Sequence, residues 1–246
     1  IRLPAVTPGK YLTPSDGRAH GFSSENGVVL SATAALGVHY KLTTLSDLMF
    51  ETRFQMYNSD WIDGLNPNKD IKALVLTHMH HDHAGGLHHF PHIPIIVTRE
   101  NYELASSFKG RIFGCLPQYF PRWFSPQLIE FNNEPFGPFA QSFYLTKDKN
   151  VICVPTPGHM RGHMSIIVKS PDMTYIIAGD ATYDERFLLE ELVDGVTYNV
   201  DLSKQTLRKF KEIGREQPTL LLPAHDLNVR ERLEKQLILP CDSLIV

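Results

Sequence analysis

Four short apolar segments of this sequence each lead into a histidine or an aspartate, and this arrangement restricts the possible folds more than any other feature. The segments are Ile71–Leu76, Val151–Val154, Tyr175–Ala178 and Thr219–Leu222. Their hydrophobicity is nearly continuous, which is typical of strands that are buried on both faces. The residues that follow them are His78, His159, Asp180 and His225. Because loops at the carboxyl ends of strands line the ligand crevice of an α/β sheet, we expect these side chains to meet.

The remaining elements complete an α/β pattern. Further strands are predicted at Ser165–Val168 and at Ile93–Val97, where Pro94 favours a position near a sheet edge. Helices are predicted from Thr98 to about Ser107, from a cap at Ser203 to Gln217, and over Asn228–Gln236, Ala32–Leu36 and Leu45–Phe54. Strands that alternate with helices predict a layered α/β domain.

Residues 108–144 differ from the rest of the chain in being rich in both aromatic residues and prolines. This density of proline excludes a long helix or a central strand. Two interpretations remain open for such an insert. It can form a packed lid or pocket wall, or it can form a satellite core beneath a long loop.

Length and composition exclude several classes of protein. The chain has 246 residues and a formal net charge of −3, so it offers no basic field for nucleic acid. No apolar run approaches the roughly 20 residues that span a bilayer. The three cysteines form no C-x-x-C pair, which favours a reducing, cytoplasmic location. We expect a single domain over residues 1–246, and the sequence does not indicate its oligomeric state.

The densest cluster of metal-ligand residue types follows the first apolar segment. It reads His78-x-His80-x-Asp82-His83, and the glycines at 85 and 86 permit a close turn behind it. Imidazole and carboxylate groups suit zinc, and no cysteine lies among them. With the three residues after the other segments, seven candidate ligands are too many for one tetrahedral ion. Two ions that share Asp180 would use all seven.

At His78–His83 the sequence resembles the metallo-β-lactamase superfamily, whose signature is H-x-H-x-D-H. Pro157-Gly158-His159, Gly179-Asp180 and Pro223-Ala224-His225 match its remaining ligand positions in order. The resemblance covers roughly residues 71–227 and implies an α/β fold, an αββα sandwich of the metallo-β-lactamase type. Within the superfamily the chain is most similar to the N-acyl-homoserine lactonases, because Tyr183 stands three residues after Asp180.

The resemblance also implies roles for the individual residues. One Zn²⁺ would be held by His78, His80 and His159. The other would be held by Asp82, His83 and His225, with Asp180 as the bridge. A hydroxide between the ions would attack the carbonyl of an acyl lactone, the expected small-molecule partner. Tyr183 would stabilise the oxyanion, and Asp82 would pass a proton to the departing oxygen.

Several alternatives remain at this stage. The chain could hydrolyse a thioester, a β-lactam or a phosphodiester, or it could be a non-catalytic sensor built on the same fold. Other divalent metals could replace zinc. A purely structural zinc site is disfavoured, since such sites are usually rich in sulfur and closed.

Overall fold

The computed structural model describes the backbone of residues 10–12, 19–21, 31–41, 47–57 and 72–241, and the side chains of residues 72–241. The chain divides into two compact units, Ile1–Lys72 and Ala73–Val246. In the first unit, β1 (Lys10–Leu12) pairs antiparallel with β2 (Ala19–Gly21), and β3 (Ser31–Lys41) pairs antiparallel with β4 (Asp47–Tyr57). That the whole chain forms a single domain stays a prediction.

The helices predicted at Ala32–Leu36 and Leu45–Phe54 are wrong, because the described residues of both segments lie in strands β3 and β4. Leu48, Phe50, Phe54 and Met56 of β4 lie at alternate positions, a spacing that favours a strand, although Met49 and Thr52 interrupt the pattern.

The second unit contains two sheets. The smaller sheet is parallel and has the order β5 (Leu74–Val75), β6 (Ile95–Thr98), β7 (Gln127–Ile129). The predicted edge position of the Pro94 segment is wrong, because β6 is the central strand. Pro94 lies just before that strand, where its missing N–H removes no ladder bond, and its carbonyl accepts a hydrogen bond from the N–H of Leu74 (2.9 Å).

The larger sheet has five strands. In chain order they are β8 (Phe143–Tyr144), β9 (Val151–Pro155), β10 (Met164–Lys169), β11 (Thr174–Gly179) and β12 (Thr219–Pro223). This is also their order across the sheet; β11 and β12 run parallel, and the other neighbours are antiparallel. All four of the apolar segments that carry the candidate ligands contain a strand, as predicted.

Six α-helices lie among these strands in the described part of the second unit. They are α1 (His81–Ala84), α2 (Arg99–Ser106), α3 (Phe108–Ile112), α4 (Glu185–Leu189), α5 (Val200–Glu216) and α6 (Val229–Lys235). The predicted cap of α2 is confirmed, since the Thr98 hydroxyl accepts the Asn101 N–H. The predicted cap of α5 is wrong: Asn199 accepts the Leu202 N–H, and Ser203 lies inside the helix. None of the described helices combines the length and apolarity needed to cross a bilayer.

The core of the second unit has four layers. Residues of β9 alternate between its two faces, so that Ile152 packs with Phe210 of α5 while Cys153 packs with Ile96 of the smaller sheet. On the far side of the smaller sheet, Val97 packs with Ala105 of α2. The order is therefore helix, sheet, sheet, helix. It explains the nearly continuous apolar runs, because the central strands are covered on both faces.

The insert over residues 108–144 contains elements of five residues or fewer, as its prolines predict. The pocket-wall interpretation holds for the first residues of the insert, whereas its buried part joins the main core and does not form a satellite core. Phe139 is fully buried against Phe210, with ring centroids 6.2 Å apart, and so belongs to the core. The first residues of the insert line a cavity that is described below.

Candidate metal centre

The ends of four strands bring the seven candidate ligands together. Strands β5, β9, β11 and β12 each end one to four residues before the first ligand that follows them. The approach between two of these ends requires a glycine at position 179, which has φ of +58°. A Cβ atom there would lie 2.8 Å from the side chain of Thr77. Glycine thus allows the end of β11 to pack against the loop that carries His78.

Four of these side chains form what we call the buried group: His78, His80, His159 and Asp180. Nδ1 of His80 lies 2.9 Å from Nε2 of His78 and 3.0 Å from Nε2 of His159. Oδ2 of Asp180 lies 3.5 Å from Nε2 of His159 and 3.9 Å from Nε2 of His78. Three imidazole nitrogens and one carboxylate oxygen therefore face a common point. This matches the donor types and number of a tetrahedral zinc site.

The second set, which we call the outer group, consists of Asp82, His83, His225 and again Asp180. Nε2 of His83 lies 3.1 Å from Oδ1 of Asp180, and Nε2 of His225 lies 3.1 Å from Oδ2. Oδ2 of Asp82 is 3.5 Å from Nε2 of His83 and 3.4 Å from Nε2 of His225. Because Oδ2 of Asp180 faces nitrogens of His159 and His78 as well as that of His225, this residue joins the two groups.

The protonation of His78 and His80 in the buried group suits a cation, whereas at His83 the interaction with the Asp180 carboxylate outweighs burial and raises the pKa. Burial, together with the neighbouring His163 and His83, lowers the pKa of His78, and burial and His159 lower the pKa of His80. Neutral imidazole is the form that binds a metal ion. In addition, the buried atoms Nε2 of His83 and Oδ1 of Asp180 lie 3.1 Å apart without the geometry of a hydrogen bond, and neither has another hydrogen-bond partner among the described residues. A cation would satisfy both atoms, so the residues fit a metal centre.

Further side chains hold the candidate ligands from behind. Nδ1 of His78 lies 3.1 Å from the Thr77 hydroxyl. Nε2 of His163 accepts the backbone N–H of Asp180 (3.2 Å), and burial lowers the pKa of His163 to about 3. His163 thus supports Asp180 and belongs to neither group. His81 also belongs to neither group, and its ring lies 5.7 Å from that of Tyr119.

Asp194 is a residue of the site that the sequence analysis missed. Its Oδ2 lies 3.2 Å from Nδ1 of His159, and its side chain is only 8% exposed. Burial alone would raise its pKa, but hydrogen bonds from His159, Thr197 and the N–H of Val196 hold that pKa at about 2. In the sequence, Asp194-Gly195 signals only a turn. No spacing links it to His159, which lies 35 residues earlier.

A cavity of about 820 Å³ opens onto both groups. The candidate ligands His80, Asp82, His159 and Asp180 line it, and its other walls are mainly apolar. Ile112 and Phe113 of the insert contribute to one wall, and Val196 and Tyr198 contribute to another. The first residues of the insert are therefore a pocket wall.

Tyr183 lines the same cavity. Its ring centroid lies 5.0 Å from that of His225 and 6.2 Å from that of His159, so the tyrosine stands beside both groups. Burial, with the charges of Asp194 and Asp180, raises the pKa of its hydroxyl to about 12. The hydroxyl is therefore a proton-bearing donor at neutral pH.

Comparison with known proteins agrees with this geometry. Residues 65–225 match the family model of the metallo-beta-lactamase superfamily. An N-acyl homoserine lactonase of Bacillus thuringiensis is 26% identical over 165 residues, which cover 67% of this chain and 59% of that protein. A probable metallo-hydrolase of Mycobacterium tuberculosis is 30% identical over 174 residues, which cover 64% of this chain and 55% of that protein. The chain thus spans less than two thirds of the length of either relative.

Solved structures show the same fold. A structure of an N-acyl homoserine lactone hydrolase has a TM-score of 0.55 and 22% identity, and the match covers 68% of this chain and 60% of the other. A probable metal-dependent hydrolase from Staphylococcus aureus also gives 0.55, at 20% identity, with 66% and 57% covered. The predicted fold class, an αββα sandwich of this type, is confirmed.

Proposed function

The chain belongs to the metallo-beta-lactamase superfamily, and from this premise we propose that it is a hydrolase with two divalent cations that opens the lactone ring of N-acyl-homoserine lactones or similar lactones. One observation carries the proposal. Seven side chains from four strand ends converge at one end of a mainly apolar cavity, with Tyr183 beside them.

The buried group would hold one ion and the outer group the other, with Asp180 shared between them. The donor set of imidazole and carboxylate favours zinc, although other divalent metals use the same donors. Two bound cations would supply Lewis acidity for a carbonyl group and a nucleophile at neutral pH.

Two of the chain's own residues are assigned to the reacting atoms. The Tyr183 hydroxyl would donate a hydrogen bond to the oxygen of the carbonyl as negative charge develops there. Its position in the cavity beside His225 and His159 supports this role. The Asp82 side chain is 58% exposed and lines the cavity. With Oδ2 facing the outer group, Oδ1 would carry a proton to the departing ring oxygen.

The cavity supports a substrate with an apolar chain. Ile112 and Phe113 are 70% and 54% exposed, respectively, so they have apolar surface left to bury. Burying one methylene group contributes about 0.8 kcal/mol. An acyl chain that lies between these residues and Tyr198 would therefore bind more tightly as it lengthens.

The relatives favour a lactone over the other esters and amides of this superfamily, since several of them are named as N-acyl homoserine lactonases. Tyr183 favours the same substrate, by its position after Asp180. Thioesters, β-lactams and phosphodiesters are the alternative substrates, and a non-catalytic sensor is the alternative of a different class.

A substrate panel tests the proposal. The metal-free protein is reloaded with zinc and assayed on acyl-homoserine lactones of increasing chain length, a thioester, a β-lactam and a phosphodiester. We expect lactone opening that is lost with chelation and restored by zinc, and a kcat/KM for lactones above that for the other three. A higher value for another substrate would overturn the lactone assignment. Lactone opening at full rate by the metal-free protein would overturn the metal mechanism, and binding without turnover of any substrate would indicate the sensor.

A further inference from the structure

Asp194 is a carboxylate beside the candidate ligands that the proposed function does not use, and its side chain is 8% exposed. It lies in the loop between α4 and α5, at a distance in sequence from every ligand. Its side chain nevertheless points at the back of His159, with Oδ2 3.2 Å from Nδ1. His159 itself is almost fully buried. The contact is therefore largely shielded from water. A hydrogen bond to a charged group is stronger in such surroundings than in solvent.

The carboxylate is fixed by its own neighbours. Oδ1 accepts the N–H of Val196 (2.8 Å), and Oδ2 accepts the hydroxyl of Thr197 (2.7 Å). These two hydrogen bonds, one to each oxygen, fix the orientation of the carboxylate group. Oδ2 is thereby held facing His159. A buried carboxylate held in this way is an acceptor only.

The backbone around Asp194 is also joined to His159. The N–H of Tyr198 donates to the carbonyl of His159 (3.4 Å), and the N–H of Asn199 donates to the carbonyl of Gly158 (3.0 Å). Asn199 in turn caps α5. The loop that carries Asp194 is thereby held alongside the segment that carries the ligand.

We propose that Asp194 is a positioning residue that fixes the orientation and the tautomer of His159 for metal binding. An acceptor at Nδ1 requires the proton of a neutral imidazole to lie on Nδ1. Nε2 then keeps its lone pair, and this is the atom that faces His78, His80 and Asp180. Carboxylates behind metal-binding histidines act in this way in other metal sites. The inference rests on the proposed function in one respect, that the buried group binds a cation.

The first test measures metal affinity. Zinc binding to the protein is measured by competition with a chromophoric chelator for the wild type, Asp194→Asn and the control Asp172→Asn. We expect Asp194→Asn to weaken one of the two zinc sites roughly 10- to 100-fold, which is the typical effect of such outer contacts, and to leave the other within about threefold. Asp172→Asn makes the same change of side chain at an exposed position in the turn between β10 and β11, outside both groups, and is expected to stay within about threefold at both sites. Equal affinities for the wild type and Asp194→Asn would overturn the inference.

A second measurement needs neither bound metal nor a folded variant, because it is made on the metal-free wild type. Nitrogen-15 NMR of the histidine rings in the metal-free wild type reports which nitrogen of His159 carries the proton. We expect Nδ1–H, and an Nε2–H tautomer would overturn the assignment. Failure of the wild type to bind zinc would instead overturn the proposed function, so the two outcomes are distinguishable.

Discussion

The buried group and the outer group use the same types of ligand but differ in their surroundings. The side chains of His78, His159 and Asp180 are at most 3% exposed and His80 is half-buried, whereas in the outer group His83 is 14%, His225 39% and Asp82 58% exposed. All three of these buried residues have a supporting contact from behind, from Thr77, Asp194 or His163.

This difference indicates a division of roles. Ligands that are buried and held from behind lose little conformational freedom when an ion binds, because their rotamers are already fixed. Exposed ligands must be ordered by the ion, but they leave room for a substrate to approach. We therefore expect the buried group to bind its ion more tightly and the outer group to face the reacting bond.

The largest effect is expected at the residue that the two groups share. Asp180→Asn removes the charge that both ions would use, so we expect loss of both ions and loss of measurable turnover. Metal analysis of the purified protein and the lactone assay check this together. Asp172→Asn, in the turn between β10 and β11, is the matched control and should keep two ions. Two ions in Asp180→Asn would contradict the bridging role.

The next largest effect is expected from a substitution that changes the outer group and leaves the buried group intact. His225→Ala removes a ligand of the outer group only, so we expect one ion per chain to remain and most of the turnover to be lost. His88→Ala, an exposed histidine outside both groups, should retain two ions and full activity. If His225→Ala releases both ions, the buried group does not bind an ion on its own and the comparison fails.

A smaller effect is expected at the edge of both groups. Tyr183→Phe removes one donor to the developing oxyanion, which should lower kcat roughly 100- to 1,000-fold with the metal content unchanged. Tyr175→Phe, in β11, tests whether any tyrosine hydroxyl of this region has the same effect, and it should leave kcat unaltered. An unchanged kcat in Tyr183→Phe would assign the residue to packing alone.

The smallest effect concerns the cavity wall. Phe113→Ala removes apolar surface that a long acyl chain would bury, so KM should rise several-fold for long-chain lactones and little for short-chain ones. Trp123→Ala alters another exposed aromatic residue of the insert, one that does not line the cavity, and serves as the control. The ratio of KM between long and short substrates is the quantity to measure. An unchanged ratio would show that Phe113 takes no part in recognising the acyl chain.

The sequence predicts which seven side chains meet, but it does not predict that Asp194 contacts His159 from behind. His78–His83 is one local motif, and the other three candidate ligands follow apolar runs within four residues, so the strand ends, with the close approach that Gly179 permits, bring them together. Asp194 follows no strand and matches no motif, and only the folded loop between α4 and α5 places it behind His159. Asn199 and Ser203 are both good helix caps, and the sequence does not decide between them because packing against Gly158 sets the start of α5.

The central claim is that seven side chains form two cation sites, one buried and one exposed. Titration of the metal-free protein with zinc, followed by calorimetry and by direct metal analysis, tests it most directly. We expect two zinc ions per chain that bind in separate steps, the first more tightly than the second. A stoichiometry of one or none, or two ions that bind with equal affinity, would contradict the account.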